Sequence, residues 1–250
     1  PDETRKRVDL LHSYLADERA RIENLRIVGV TKEETPEVYD TFMEYTTKAY
    51  ASEKSPLELS FIPIHPGDIL SYGGYHFEVK LLKGHTFGQC GLYEPEKKLM
   101  FVGDQLMTTI VPIVGTQETD LGMLKCYLDS LGDLKHNYKD CYFLPCHYGE
   151  IRNVEKEVNR IILGYLEKCE IMKHVLEEAG TALTTRDIGV RTYGRSQGPP
   201  DYAHFASCTY IWAKTFSCME YMMGEGFVER SERDGIIYWK APSIHFENNR

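Results

Sequence analysis

Apolar residues recur at two different spacings along the chain, and these spacings separate helical segments from extended ones. Residues 1–55 carry apolar side chains three or four positions apart, which predicts a helical segment. Within it, Thr35 followed by Pro36 predicts a cap and the first position of a helix. From Leu59 the spacing changes. Residues 75–81 alternate apolar and polar side chains, which predicts a half-buried strand.

The middle of the chain mixes strands with a helix. Residues 90–103 predict two strands joined by a polar turn, and residues 141–144 predict a further short strand. Between them, leucines at helical spacing predict a helix over 121–131, with Thr119 as its cap. We therefore expect an α/β arrangement for residues 56–152.

The last part of the chain, residues 153–250, is predicted to be mostly helical. A long apolar face over 154–176 ends before Gly180, a residue typical of helix C-termini. A second apolar helix is predicted from Phe205 to Met223, and an Asp-Gly pair at 234–235 predicts the turn of a final hairpin. Helices followed by such a hairpin predict a winged-helix-like module.

Composition and charge narrow the function classes. The net charge of -9 argues against a nucleic-acid surface, which usually needs a basic stripe. No apolar run approaches the roughly 18 residues of a membrane span, so no membrane segment is expected. The seven cysteines are scattered and form no CxxC pair, which predicts reduced thiols and a cytoplasmic location.

Three candidate metal ligands follow predicted strands, each beside a glycine. They are His85, Asp104 and His147. Strand ends can share one edge of a sheet, and imidazole and carboxylate groups are ligands for zinc, iron or manganese. Each residue alone is more typical of a polar loop or a turn than of a metal ligand. Their recurrence at strand ends leaves both a metal site and ordinary loop positions open.

Three motifs in this region carry a more specific pattern. "GHTFGQCG", "FVGD" and "LPCHYGE" occur in that order within residues 60–150. Together they resemble the second half of a metallo-β-lactamase-superfamily domain. The C-terminal region resembles an appendage found on a subgroup of that superfamily. The resemblance implies an α/β fold, namely part of an αββα sandwich followed by a helical, winged-helix-like domain.

The resemblance also implies roles for the three candidate ligands. His85 corresponds to a ligand of one metal, His147 to a ligand of a second, and Asp104 to the catalytic carboxylate that bridges them. Two zinc ions are expected in the intact fold, and iron or manganese would also suit these ligands. The implied activity is hydrolysis of an ester, thioester, lactone or related bond in a small-molecule substrate by a metal-bound hydroxide.

The chain departs from the superfamily pattern in several places, which include Lys83 and Phe87, where proline is frequent in the family. The His-x-His-x-Asp-His motif that should precede His85 is absent, because the earlier histidines are isolated: His12, His65 and His76. His76 is expected to be exposed on the polar face of its strand. Either the given sequence begins after that motif or the protein is a shortened relative. We expect the first, because half of the sandwich alone would expose a large apolar face. In addition, Tyr148 occupies a position where glycine often follows the histidine.

Two other functions are compatible with the sequence. One is a non-catalytic interaction or regulatory protein with a degenerate metal site. The other is a nuclease of the same superfamily, although basic and acidic residues balance over 181–250 and nucleic acid is not an expected partner. The helix predicted over 205–223 is expected to pack on the metal domain or in a homodimer. Residues 1–55 form a possible lid or insertion.

Overall fold

A computed structural model describes residues 18–52, 62–114, 122–194 and 202–242. Within these ranges the helices are α1 (Glu18–Ile27), α2 (Pro36–Ser52), α3 (Met123–Asn137), α4 (Val154–Ala179), α5 (Thr185–Tyr193) and α6 (Tyr202–Gly224). The strands are β1 (Ile69–Tyr72), β2 (Tyr75–Leu81), β3 (Cys90–Glu94), β4 (Leu99–Gly103), β5 (Tyr142–Pro145), β6 (Leu183–Thr184), β7 (Glu229–Arg233) and β8 (Ile236–Lys240). The α/β prediction is confirmed. No helix in these ranges is long and apolar enough to cross a membrane.

Five strands form the larger sheet in the order β1-β2-β3-β4-β5. The first four pair in antiparallel fashion, whereas β5 runs parallel to β4. Helix α3 makes the crossover between these two strands, as a parallel connection requires. One face of the sheet is buried in the main core, where Met100, Val102 and Phe143 join side chains of α3 and α4.

The opposite face of this sheet is largely open. Residues directly opposite each other in a ladder share a face, so Val79 and Phe101, which both pair with Leu92, lie on this side. Val79 is buried, but the apolar side chains of Tyr75, Leu81, Phe101 and Tyr142 are 40–42% exposed. Residues 75–81 form the predicted half-buried strand, in which Val79 is buried and both ends of the apolar face are exposed, because the helices cover the other face of the sheet.

The C-terminal region is built from α4, α5, α6 and a three-stranded antiparallel sheet in the order β6-β8-β7. Trp239 of β8 is fully buried, packs edge-on against Phe216 and donates a hydrogen bond from Nε1 to Thr185 Oγ1 (3.0 Å). One continuous core joins these residues to the larger sheet. The winged-helix assignment and the boundary near residue 152 stay predictions.

One predicted helix end and one predicted turn in this region are confirmed. Helix α4 ends at Gly180, which has a φ of 61° and donates its N–H to Leu176 O. Asp234 and Gly235 have φ angles of 54° and 74° and form the turn between β7 and β8. Positive φ at both central residues is the backbone geometry of a two-residue hairpin turn.

Other boundaries differ from the predictions. Helix α2 begins at Pro36 as expected, but the Thr35 hydroxyl donates to Thr31 O instead of capping the helix. Helix α3 begins after Gly122 and continues to Asn137, and Thr119 lies outside the described residues. Strand β1 was not predicted, since its sequence, ILSY, is too short to show a periodicity.

The N-terminal helices pack on the C-terminal region. Leu25, Val30 and Phe42 form a small core with Trp212 of α6. The backbone N–H of Arg186 in α5 donates to Val28 O at 2.9 Å. Residues 18–52 therefore brace the C-terminal helices, and a role as a lid or insertion stays a prediction.

Replacing Trp212 tests this bracing. Trp212→Ala should lower the free energy of unfolding by about 3 kcal/mol, because it empties the centre of the small core. Tyr210→Ala is the matched control on the same helix: its side chain is exposed, so the expected change is below about 0.5 kcal/mol. Urea denaturation of both variants measures the difference, and equal losses would contradict the packing described.

Candidate metal centre

Three loops at one edge of the larger sheet carry the candidate ligands. Strands β2 and β4 are both antiparallel to β3, so they run parallel to each other, and β5 is parallel to β4. Their carboxyl ends therefore lie at the same edge. His85, Asp104 and His147 follow these three strand ends within a few residues.

The carboxylate of Asp104 lies between the two imidazoles. His85 Nε2 is 3.8 Å from Asp104 Oδ2, and His147 Nε2 is 3.6 Å from Asp104 Oδ1. The structure thus brings all three side chains together, one histidine at each carboxylate oxygen. The side chains of His85, Asp104 and His147 are 26%, 31% and 62% exposed, so the site is open to solvent on the His147 side.

The hydrogen bond at the other nitrogen of His85 fixes the orientation of its ring. Nδ1 lies 2.8 Å from the carbonyl oxygen of Ile113. A carbonyl oxygen accepts a hydrogen bond, so Nδ1 carries a proton and the Nε2 of a neutral imidazole presents a lone pair to Asp104. Histidines that ligate metals usually make such a second contact.

Helix α4 holds the segment that makes this contact. Tyr165 donates its hydroxyl proton to Pro112 O at 2.6 Å and accepts a hydrogen bond from Val114 N at 2.9 Å. Burial raises the pKa of the Tyr165 phenol well above its ordinary value, which keeps it neutral and able to donate. The Ile113 carbonyl is therefore held from both sides.

One oxygen of Asp104 lacks a hydrogen-bond partner. Oδ1 is buried and accepts no hydrogen bond within the described ranges, since His147 Nε2 lies beyond hydrogen-bonding distance. A buried carboxylate oxygen without a donor is costly. A cation bound to this oxygen would remove that cost, so the residues present fit a metal.

The ligand set is nevertheless partial. Among the residues that the structure describes, no group of three or more His, Cys, Asp or Glu side chains meets the geometry of a bound metal ion. His76, as predicted, is exposed in β2, where its Nδ1 lies 2.8 Å from Ser71 Oγ. Metal ligation by His85, Asp104 and His147 therefore stays a prediction.

Solved structures show the same architecture. A metallo-β-lactamase family protein from Thermus thermophilus matches 92% of this chain and 68% of its own length, with 18% identity and a TM-score of 0.68. A β-lactamase domain protein from Burkholderia ambifaria matches 86% of this chain and 60% of its own length, with 19% identity and a TM-score of 0.71. The chain has the metallo-β-lactamase fold. The resemblance seen in the sequence motifs is confirmed.

The sequence comparisons cover less of the chain. No protein-family model matches it. A hydroxyacylglutathione hydrolase, GloC, from Haemophilus influenzae is 50% identical over 40 residues, which is 16% of this chain and 19% of that protein. This match supports the same superfamily over a short stretch.

The loop that carries His85 is packed tightly in this metallo-β-lactamase fold. Gly84 has a φ of 144°, and a Cβ added there would come within 2.5 Å of the Tyr127 Cα in α3. Helix α3 and the His85 loop can approach this closely because residue 84 has no side chain.

The His147 loop contains an unusual backbone conformation. Tyr148 has a φ of 67°, the left-handed region that glycine adopts readily, and its carbonyl accepts a hydrogen bond from Thr108 Oγ1 at 3.2 Å. Tyrosine occupies this conformation at some cost in strain. Its exposed ring lies 6.0 Å from the His147 ring, at the open side of the site.

Gln105 and Tyr127 are site-supporting residues that the sequence did not reveal. Both are fully buried, and Tyr127 donates its hydroxyl proton to Gln105 O at 2.8 Å. The available clue was a glutamine directly before the apolar pair Leu106 and Met107 in "FVGDQLM", since a glutamine is costly to bury unless its amide is hydrogen-bonded.

Two glycine substitutions distinguish the stability cost of a packing clash from that of backbone strain at the site. Gly84→Ala should lower the free energy of unfolding by about 3 kcal/mol, because strain in the backbone adds to a clash with Tyr127. Gly149→Ala is the control: its φ is 79°, but nothing lies within 4 Å of the added Cβ, so about 1 kcal/mol is expected. Thermal or urea denaturation measures both, and equal losses would contradict the tight packing at Gly84.

Proposed function

We propose that the chain belongs to a metal-dependent hydrolase whose site includes His85, Asp104 and His147. The observation that carries the proposal is the Asp104 carboxylate between the Nε2 atoms of two histidines, with one carboxylate oxygen lacking a hydrogen-bond donor. The metallo-β-lactamase fold supports it. The chain spans 60–68% of the structural relatives and the matched stretch spans 19% of the curated one, so the activity of the whole protein is part of this proposal.

The proposed cofactor is zinc, with two ions in the complete site, and iron or manganese would suit the same donors. The chemistry that a divalent cation supplies is activation of water near neutral pH and polarisation of a carbonyl. The protein orients the donors. Ile113 fixes the His85 ring so that Nε2 points into the site, and Asp104 supplies the negative charge that balances the cation.

The proposed substrate is a small molecule with an ester-like bond, and a thioester is the first choice among ester, thioester and lactone. The short match to GloC, a hydroxyacylglutathione hydrolase, supports the thioester. The open side of the site, beside His147 and the exposed Tyr148 ring, is the proposed entrance. A cytoplasmic location is proposed from the scattered, unpaired cysteines.

The second half of the chain is proposed to be a winged-helix-like module. The order helix, strand, helix, helix, hairpin and the sheet order β6-β8-β7 support this assignment. Helix α6 packs in the shared core through Phe216 and Met219, so the proposal gives it a structural role. A homodimer stays a prediction.

One alternative has an observation in its favour. A non-catalytic interaction protein with a degenerate metal site would agree with the partial ligand set and with the exposed apolar face of the larger sheet. No contact within the described ranges favours a nuclease, and the net charge of -9 opposes one.

A measurement of metal content distinguishes the proposed hydrolase from the alternative, an interaction protein. Elemental mass spectrometry of the purified chain should find bound zinc, iron or manganese, and His85→Ala or His147→Ala should remove most of it because each supplies a ligand. His76→Ala is the control, since this histidine is exposed and contacts Ser71. Metal content that is unchanged in both ligand variants would favour the interaction protein.

Activity should depend on the metal and on Asp104. Hydrolysis of a small acyl thioester should be lost after treatment with a chelator and restored by zinc, iron(II) or manganese. Asp104→Asn should lower kcat at least about 100-fold, because the carboxylate charge is lost while the shape is kept. Hydrolysis that survives both the chelator and the substitution would exclude the proposed mechanism.

A further inference from the structure

Gln105, the residue after Asp104, is fully buried, and both polar atoms of its side chain have partners. Its Nε2 donates to Lys83 O at 3.1 Å and to Ser130 Oγ at 3.0 Å, and its Oε1 accepts from His85 N at 3.4 Å. The two hydrogens of the amide nitrogen and the amide oxygen are therefore all used.

The backbone of Gln105 is fixed as well. Its N–H donates to Val102 O at 3.1 Å, which closes the turn after β4, and its carbonyl accepts the hydroxyl proton of Tyr127 at 2.8 Å. Burial raises the pKa of the Tyr127 phenol far above its ordinary value, so this donor stays neutral. Gln105 is thus anchored to β4 on one side and to α3 on the other.

These contacts join two separate loops. Lys83 and His85 lie in the loop after β2, whereas Gln105 lies in the loop after β4, next to Asp104. The side-chain amide crosses between the loops and holds the backbone on either side of Gly84. A change in this bridge would alter the separation between the His85 imidazole and the Asp104 carboxylate, now 3.8 Å at their closest atoms.

We propose that Gln105 is a positioning residue that sets the spacing and orientation of His85 relative to Asp104. This inference rests on the proposed function for its effect on metal binding, but the loop geometry itself does not depend on a metal. An amide is suited to this position because it donates to a carbonyl and accepts from an N–H at once. A carboxylate lacks the donor, and an apolar side chain of similar size lacks both groups.

Two substitutions test the proposal. Gln105→Met keeps most of the volume and removes the bridge. Ser130→Ala is the matched control, because it removes a partner on the α3 side and leaves the contacts to Lys83 and His85 in place. Zinc affinity is measured by competition with a chromophoric chelator, at a temperature where circular dichroism shows both variants folded.

The expected result is a specific loss in Gln105→Met. Its zinc affinity should fall about 10- to 100-fold, as is usual when a group that orients a ligand is removed, whereas Ser130→Ala should stay within about 3-fold. The hydrogen exchange of the His85 amide should become faster in Gln105→Met, because Oε1 is its acceptor, and should not change in Ser130→Ala. Equal effects of the two variants on affinity and exchange would overturn the proposal.

A third variant covers the case in which Gln105→Met does not fold. The exchange measurement distinguishes failure of this inference from failure of the proposed function. If Gln105→Met does not fold, Gln105→Glu replaces it: the acceptor for His85 N remains and the donor to Lys83 O is lost, so weakened zinc binding is still expected. If the unmodified chain binds no zinc, the proposed function fails. In that case His85 amide exchange in Gln105→Met decides the inference, because this substitution removes the acceptor of the His85 N–H, and exchange as slow as in the unmodified chain overturns it.

Discussion

The candidate site depends on the relative direction of three strands. Because β2, β4 and β5 run the same way, the loops that follow them leave the sheet at one edge, and three side chains that are far apart in sequence meet around the Asp104 carboxylate. Had β5 paired with β4 in antiparallel fashion, His147 would lie at the opposite edge. The crossover through α3 makes the parallel pairing possible, and α3 also supplies Tyr127 and Ser130 to the loops above it.

The two faces of the larger sheet differ in how far they are buried. Helices α3 and α4 bury one face, and α4 also reaches the site, since Tyr165 holds the segment whose Ile113 carbonyl orients His85. The other face leaves Tyr75, Leu81, Phe101 and Tyr142 partly exposed. Exposed apolar groups on one face of a sheet mark a surface suited to a partner layer. Helices α3 and α4 thus have two roles: they bury one face of the sheet, and they hold the segments that support the site residues.

The sequence predicted the features that depend on local periodicity or on local turn chemistry. The helix that ends at Gly180, the helix that begins at Pro36 and the Asp-Gly turn at 234–235 belong to this class. The three site residues could be placed on strand ends, since each follows an apolar strand beside a glycine. The alternation on β2 predicted a half-buried strand, as found, but alternation does not show which face of the sheet the helices cover.

The supporting contacts could not be predicted, because they join loops that are distant in sequence. The bridge from Gln105 to Lys83 and His85 needs the β2 and β4 loops to be adjacent, and the contact of His85 with Ile113 needs α4 to hold that segment. X-ray absorption at the zinc edge tests the central claim, that these contacts orient the two histidines toward one metal centre, which holds two ions when complete. The account predicts nitrogen or oxygen neighbours at about 2.0–2.1 Å with imidazole scattering that weakens in His85→Ala and in His147→Ala. A spectrum without imidazole scattering, or one that neither substitution changes, would contradict it.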